Sequence, residues 1–173
     1  KQLDQKLSII IPTRNDRPFL LKLLTTLSEL PIECLELLII DSSDTKQSLP
    51  NDLESLFSEK PYELKHIFSE SSSPGASRNE GVSLAQGDWL GFLDTKTIPN
   101  LLWVNSCKEI ISSNQFKGLW GKTKYLGNTT YENIIIASTY GFKELITVPG
   151  MIIRKEAFFQ VGNFLPILLA GED

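Results

Sequence analysis

The apolar positions of this chain fall into two alternating rhythms. Leu7 to Ile11 is apolar and β-branched but for Ser8, which predicts a central strand covered on both faces. Pro12 closes that run, and Thr13-Arg14-Asn15-Asp16 forms a polar turn. Phe19, Leu20, Leu23, Leu24, Leu27 and Leu30 then recur at helical spacing, one apolar stripe of an amphipathic helix. Asp16 is placed to cap it, Pro18 fits its first turn, and Pro31 stops it. Leu35 to Ile40 predicts a second buried strand, followed by Asp41-Ser42-Ser43-Asp44. Pro50 opens a helix whose apolar side is Leu49, Leu53, Leu56 and Phe57, and Leu64 to Phe68 predicts a third strand. Glu70-Ser71-Ser72-Ser73 is a polar lead into the next segment.

The stretch from Pro74 to Pro99 compresses turn, helix, strand and polar turn. Pro74-Gly75 opens the turn, Ala76 to Gln86 reads as helix, and Gly87 stands where a C′ glycine would end it. Trp89-Leu90-Gly91-Phe92-Leu93 suits a short buried strand that ends in Asp94-Thr95-Lys96-Thr97. Asp94 has two readings: a cap for the helix after Pro99, or a carboxylate facing the crevice where open α/β sheets bind ligands. The helix after Pro99 has Trp103, Val104, Cys107, Ile110 and Ile111 on its inner face. Strand thus alternates with helix from residue 7 to residue 113, which predicts a mostly parallel sheet with helices on both faces. Farther on, Gly118 to Leu126 suits a strand, and Tyr131 to Tyr140 fits helix or strand, with helix favoured. Met151 to Ile153 suits a strand and Lys155 to Val161 a short helix ended by Gly162-Asn163.

A length of 173 residues fits one domain with a real core. Hydrophobic content of 41% and charged content of 22% are those of a soluble globular protein. The net charge of −4 argues against nucleic acid as a partner. Cys34 and Cys107 have no metal-type spacing and read as small apolar groups. His66, the only histidine, lies in a strand-like run and reads as structural, with no G-x-S-x-G to recruit it. No apolar run approaches the roughly 20 residues that span a bilayer, and no secretory signal opens the chain. The expected location is therefore cytoplasmic, with peripheral membrane contact left open. The chain starts at Lys1 and stops at Asp173, so a trimmed or partial chain is expected.

Polar clusters follow three expected parallel strands: residues 13–16, 41–44 and 94–97. A doubly wound sheet brings such clusters to one rim. Neither G-x-G-x-x-G nor G-x-x-x-x-G-K-[ST] is present, which disfavours dinucleotide dehydrogenases and P-loop enzymes. Carboxylates together with Arg14, Arg78 and Lys96 suit a ligand carrying a base, a ribose and a diphosphate. Trp120 and Tyr125 read as core or groove wall, or as the lining of a second ligand's site.

The order of these segments resembles family 2 glycosyltransferases of the GT-A fold. Ser8-Ile9-Ile10-Ile11-Pro12-Thr13-Arg14-Asn15 is similar to that family's opening strand and nucleotide loop, and Ile39-Ile40-Asp41-Ser42-Ser43-Asp44-Thr45 to its second, acidic loop. Pro74-Gly75-Ala76-Ser77-Arg78-Asn79-Glu80-Gly81 resembles its Ser/Ala-Arg-Asn-x-Gly helix, and Phe92-Leu93-Asp94-Thr95-Lys96 its Asp-x-Asp segment. Gly150 to Phe158 and Val161 to Phe164 resemble the strand–helix unit before its Glu-Asp motif, which Gly171-Glu172-Asp173 would supply.

The resemblance implies one GT-A catalytic domain over residues 1–173, cut short at its C-terminal end, that takes part in polysaccharide synthesis. It implies that Pro12, Thr13, Arg14, Asp41 and Arg78 hold the nucleotide of a nucleoside-diphosphate sugar, with a UDP-sugar the first expectation. Asp94 would face the diphosphate directly or through Mn²⁺ or Mg²⁺. Asp173 would be the general base and Glu172 would orient the acceptor, a glycan or a lipid-linked molecule, for a single inverting displacement. Lys96 is the departure, because an ammonium stands where the family has its second carboxylate and cannot ligate a cation. Three readings stay open: Asp94 alone holds a metal through water, Lys96 itself neutralises the diphosphate, or the domain binds nucleotide sugar without catalysis.

Overall fold

A computed structural model describes residues 6–139, 141 and 143–166. Strand β1 (Leu7–Thr13) leads through helix α1 (Arg17–Glu29) to β2 (Glu36–Asp41), and α2 (Asn51–Ser58) leads to β3 (Glu63–Phe68). Helix α3 (Pro74–Leu84) returns the chain to β4 (Trp89–Phe92), followed by α4 (Leu101–Ser113). Then come β5 (Gly118–Thr123), α5 (Thr130–Thr139), β6 (Leu145–Arg154) and α6 (Lys155–Val161).

The six-stranded sheet has the order β3-β2-β1-β4-β6-β5. The first four strands in that order run parallel. Strand β6 is antiparallel to β4, and β5 is antiparallel to β6. The expected α/β class with a mostly parallel sheet is therefore observed. From β1 the chain winds outward to β2 and β3, then crosses back to β4 on the other side. The C-terminal ends of β1 and β4 consequently flank a reversal of winding, the place where such sheets open a ligand crevice.

Alternation along the strands fills two cores. Leu7, Ile9, Ile11, Leu37 and Ile39 pack beneath the leucines of α1 together with Leu53 and Phe57 of α2 and Val104 and Cys107 of α4. Ile10, Leu38, Ile40, Leu90 and Phe92 face the opposite side, against Val82 of α3 and Phe158 of α6. Helix α3 lies unusually close to the sheet, because a Cβ on Gly81 would stand 2.5 Å from Ile10 Cγ2. Burial pushes the Cys34 and Cys107 thiols up to about 12, consistent with inert packing groups.

The N-terminal end of the sheet is locked by a polar knot. Glu36, 1% exposed, accepts from Ser8 Oγ at 2.7 Å, Gln86 N at 2.7 Å and Lys65 Nζ at 2.7 Å. Ser8 Oγ in turn accepts from Gly87 N at 2.8 Å.

Several local expectations change. Pro12 does not end β1, which runs on in register with β2 to Thr13; Pro is tolerated because its ring occupies an already extended backbone position near the strand's end. Helix α3 starts earlier, at Pro74, with Ser73 Oγ capping Ala76 N at 3.1 Å. It ends at Leu84, so Gly87 is no C′ residue. Gly87 is needed for close approach instead: a Cβ there would lie 2.6 Å from Lys6 O. Strand β6 is far longer than Met151 to Ile153, and the helix favoured from Tyr131 onward is α5, Thr130–Thr139. Among the described residues no helix is long and apolar enough to cross a membrane.

Candidate donor site at the C-terminal rim

Thr13 and Asp41 end β1 and β2 and face each other in the parallel register. Pro12 stands one position back, opposite Ile40. Both Thr13 and Asp41 are 6% exposed. Asp41 Oδ1 accepts from Ser43 N at 2.9 Å, and Oδ2 lies 2.9 Å from His66 Nε2 on β3. Burial works to raise the Asp41 carboxyl, but the bonds from Ser43 and His66 outweigh it and hold it below the usual carboxylate range. Among the described residues, the buried Thr13 hydroxyl has no hydrogen-bond partner. A buried hydroxyl beside a fixed carboxylate is a costly arrangement for folding alone.

The loops after β1 and β2 are bonded to one another. Ser42 N donates to Thr13 O at 2.9 Å, and Asn15 N donates to Ser43 Oγ at 2.8 Å. Asn15 Nδ2 and Oδ1 bridge Asp44 Oδ2 and Asp44 N at 2.9 and 3.1 Å. Asn15 adopts φ 56° to do so, a left-handed conformation that Asn reaches more readily than most residues. Arg14 meets Asp44 at 3.4 Å and is half-exposed.

Asp94 follows β4 and receives Arg78 Nη2 of α3 at 2.9 Å. Arg78 is 4% exposed, whereas the Asp94 side chain is 40% exposed. The cap of α4 is Asn100, whose side chain accepts from Trp103 N at 3.1 Å, so the capping reading of Asp94 is set aside. Thr95 Oγ1 donates to Asp16 Oδ2 at 3.3 Å. Lys96 Nζ lies 3.7 Å from Asp16 Oδ1 and 5.1 Å from the centre of the Phe19 ring. Asp16 makes no side-chain cap for α1; its carboxylate reaches across to the β4–α4 loop instead.

The segment after α6 also reaches this region. Asn79 Nδ2 donates to Phe164 O at 2.8 Å, Phe164 N donates to Asn79 Oδ1 at 3.1 Å, and Ser73 Oγ donates to Pro166 O at 2.7 Å. The Arg78 guanidinium lies 5.4 Å from the Phe164 ring centre. Glu172 and Asp173 lie outside the described residues. Trp120 and Tyr125 are exposed near the antiparallel end of the sheet rather than packed in its core.

Thr13, Asp41, Arg78, Asp94 and Lys96, scattered along the sequence, thus meet at the C-terminal ends of β1, β2 and β4. Sequence reasoning placed Asp16 in the polar turn after β1 and read His66 as structural, but missed what each pairs with. Each acts through a partner on another element, which composition and spacing do not reveal.

A mostly parallel sheet with charged loops gathered at its winding reversal is the layout of an α/β domain that binds a ligand at that rim. The family model described as Glycosyl transferase family 2 matches residues 8–157, and the chain belongs to that family. It is 30% identical over 129 residues to the poly(ribitol-phosphate) beta-glucosyltransferase of Bacillus spizizenii, covering 68% of this chain and 20% of that protein. It is 29% identical over 154 residues to the chondroitin synthase of Escherichia coli, covering 87% of this chain and 22% of that one. The chain therefore spans about a fifth of the length of these relatives. The crystal structure of S. aureus TarS 1–349 in complex with UDP superposes with a TM-score of 0.68 at 21% identity, over 96% of this chain and 52% of TarS 1–349. A mannosyltransferase from Pyrobaculum calidifontis, solved with GDP-Man and Mn²⁺, gives 0.60 at 14% identity over 95% of this chain and 48% of its own. These likenesses establish the GT-A fold.

Proposed function

We propose that this domain binds a nucleoside-diphosphate sugar, first of all a UDP-sugar, at the rim formed by β1, β2 and β4, and transfers the sugar with inversion. The observation that carries the reading is the buried pair of Thr13 and Asp41, whose unpartnered hydroxyl and fixed carboxylate offer adjacent hydrogen-bonding positions to a base or ribose. Pro12 and Arg14 flank that pair. Arg78 and Asp94 extend the site toward the diphosphate. The neighbours solved with UDP and with GDP-Man lend support to this class of donor.

In the transfer, an acceptor hydroxyl oxygen bonds to the anomeric carbon from the face opposite the diphosphate. The bond from that carbon to the diphosphate oxygen breaks, and the nucleoside diphosphate leaves with the electron pair. The acceptor proton passes to the Asp173 carboxylate, and Glu172 orients the acceptor. A base must stand within hydrogen-bond reach of the attacking hydroxyl, and the departing diphosphate needs positive charge nearby. The acceptor is a hydroxyl of a glycan or lipid-linked chain, in keeping with the polymer-building names of the relatives.

A divalent metal fits the described donor set poorly. Asp94 already faces a guanidinium, and Lys96 stands where a second carboxylate would be. Among the described residues no group of three or more His, Cys, Asp or Glu is arranged to hold an ion.

Calorimetric titration with UDP, GDP and ADP, followed by donor turnover against Asp173→Ala, tests the reading. Binding of one diphosphate and turnover lost in the variant are expected. Failure of every nucleotide to bind would end it.

A further inference from the structure

Resting on that donor reading, we propose that Lys96 is the site's resident counter-cation and that Asp16 is the residue that positions it, so that donor binding needs no divalent metal. Three contacts carry this. The Asp16 carboxylate spans the β4–α4 loop, taking the Thr95 hydroxyl on Oδ2 at 3.3 Å and facing the Lys96 ammonium with Oδ1 at 3.7 Å. The Phe19 ring, one turn into α1, lies 5.1 Å from the same ammonium, a distance at which a cation is attracted to the ring face. Asp94, two residues before Lys96, is held by Arg78 at 2.9 Å.

Asp94 and Asp16 are therefore each matched to a cation from the chain. A divalent ion taken by Asp94 or by Asp16 would have to displace that carboxylate's partner, and the guanidinium and ammonium would repel it at close range. The same two cations suit the opposite task. An ammonium is a compact charge with three donors, and the guanidinium is a fixed fork, the pair of groups proteins use on diphosphates.

The 3.7 Å separation is longer than a full hydrogen bond, and Lys96 is 64% exposed. The ammonium is thus held near the rim yet free to turn onto a diphosphate, with Phe19 limiting its sweep. Asp16 is bonded to the loop through Thr95, so it fixes the loop that carries both Asp94 and Lys96. Its role is positional; Lys96 is the group that touches the diphosphate.

The test is binding of UDP and of uridine by the native protein and by Lys96→Ala, Lys96→Asp and Asp16→Asn, each with EDTA and with Mn²⁺. The native protein is expected to bind UDP equally well in EDTA and in Mn²⁺. Lys96→Ala should weaken UDP by about tenfold to a hundredfold, the scale of one charge-assisted hydrogen bond, while uridine binding stays unchanged. Lys96→Asp should bind UDP only with Mn²⁺. Asp16→Asn, which keeps an acceptor for Thr95 and removes a negative charge, should bind UDP no more weakly than the native protein yet turn over donor about tenfold more slowly. A merely structural Asp16 would instead lower thermal stability and leave that split absent.

If native UDP binding requires Mn²⁺, or if Lys96→Ala binds UDP as the native protein does, this inference falls while the donor reading stands. If neither UDP nor any other nucleoside diphosphate binds under either condition, both fall. Lys96 is well exposed, so its variants are expected to fold, and a thermal melt of each confirms that the binding changes are local.

Discussion

Glu36 and Asp41 occupy opposite ends of β2, and each is a carboxylate taken out of water on a central strand. Each meets a side chain from β3, Lys65 for Glu36 and His66 for Asp41, and each accepts a backbone amide, Gln86 N or Ser43 N. What differs is their surroundings. At Glu36 the neighbouring Ser8 hydroxyl both donates and accepts, closing the knot. At Asp41 the neighbouring Thr13 hydroxyl is left without a partner among the described residues. Glu36 is also walled in by the β-strands and the α3–β4 connection, whereas Asp41 sits under loops at an open rim. A buried acid is thus a device of the fold where its circle of partners is complete. In the donor site proposed above it serves a ligand, where the neighbouring hydroxyl is left without a partner.

The largest effect that would test this contrast is on stability. Glu36→Ala should cost about 3 kcal/mol, because it leaves the Ser8 hydroxyl and the Gln86 amide without their acceptor and Lys65 with Glu63 alone. Urea denaturation measures it, and a loss below about 1 kcal/mol would mean that the knot is not structural. Asp41→Asn should lower stability by only about 1 kcal/mol, since an acceptor remains for Ser43 or His66. Its UDP affinity should fall by about tenfold or more, so the two ends should separate cleanly in a plot of stability against binding.

Acid should act on both ends. Burial works to raise the Glu36 carboxyl, but bonds from Lys65, Ser8 and Gln86 hold it below the ordinary glutamate value. A carboxyl lowered on folding adds stability that is complete above its unfolded value. That stability is lost as pH falls through its folded value. The native protein should therefore hold its melting temperature to the ordinary carboxylate range and lose it below, while Glu36→Gln should show a shallower acid limb. The smallest change is the most diagnostic. Thr13→Val removes only the unpartnered hydroxyl, so stability should stay level or rise by about 1 kcal/mol, while UDP binding weakens several-fold. A variant that lost stability without losing affinity would place Thr13 with the fold instead.

The frame of this molecule was readable because its central strands are buried on both faces. Leu7 to Ile11, Leu35 to Ile40 and Trp89 to Leu93 are short apolar runs, interrupted only at Ser8, Glu36 and Gly91, whose length and flanking turns favour strand over helix. Strand β6 runs through Pro149 and Gly150, residues that ordinarily mark a turn, and Gly150 takes φ 89° within a strand whose pairing with β5 shifts between Leu119 and Gly121. At the rim, Thr13, Asp41 and Asp94 were legible as polar residues at strand ends. Lys96 stood out only because the family segment made a second carboxylate the expectation. The partners of His66 and Asp16 were not legible. His66 reaches Asp41 through the register of β2 and β3, and Asp16 reaches Thr95 across 79 positions of sequence; neither pairing leaves a local trace.

The mutual bonds of Asn15, Ser43 and Asp44 carry one further consequence. Two loops that in isolation would sample many shapes are already tied into one by the time the chain has folded. A nucleotide bound as proposed would therefore meet walls already standing, with little configurational freedom left to surrender on association. Its binding should show the heat-capacity change of the contact area alone, without the larger signature of a segment that folds around its guest.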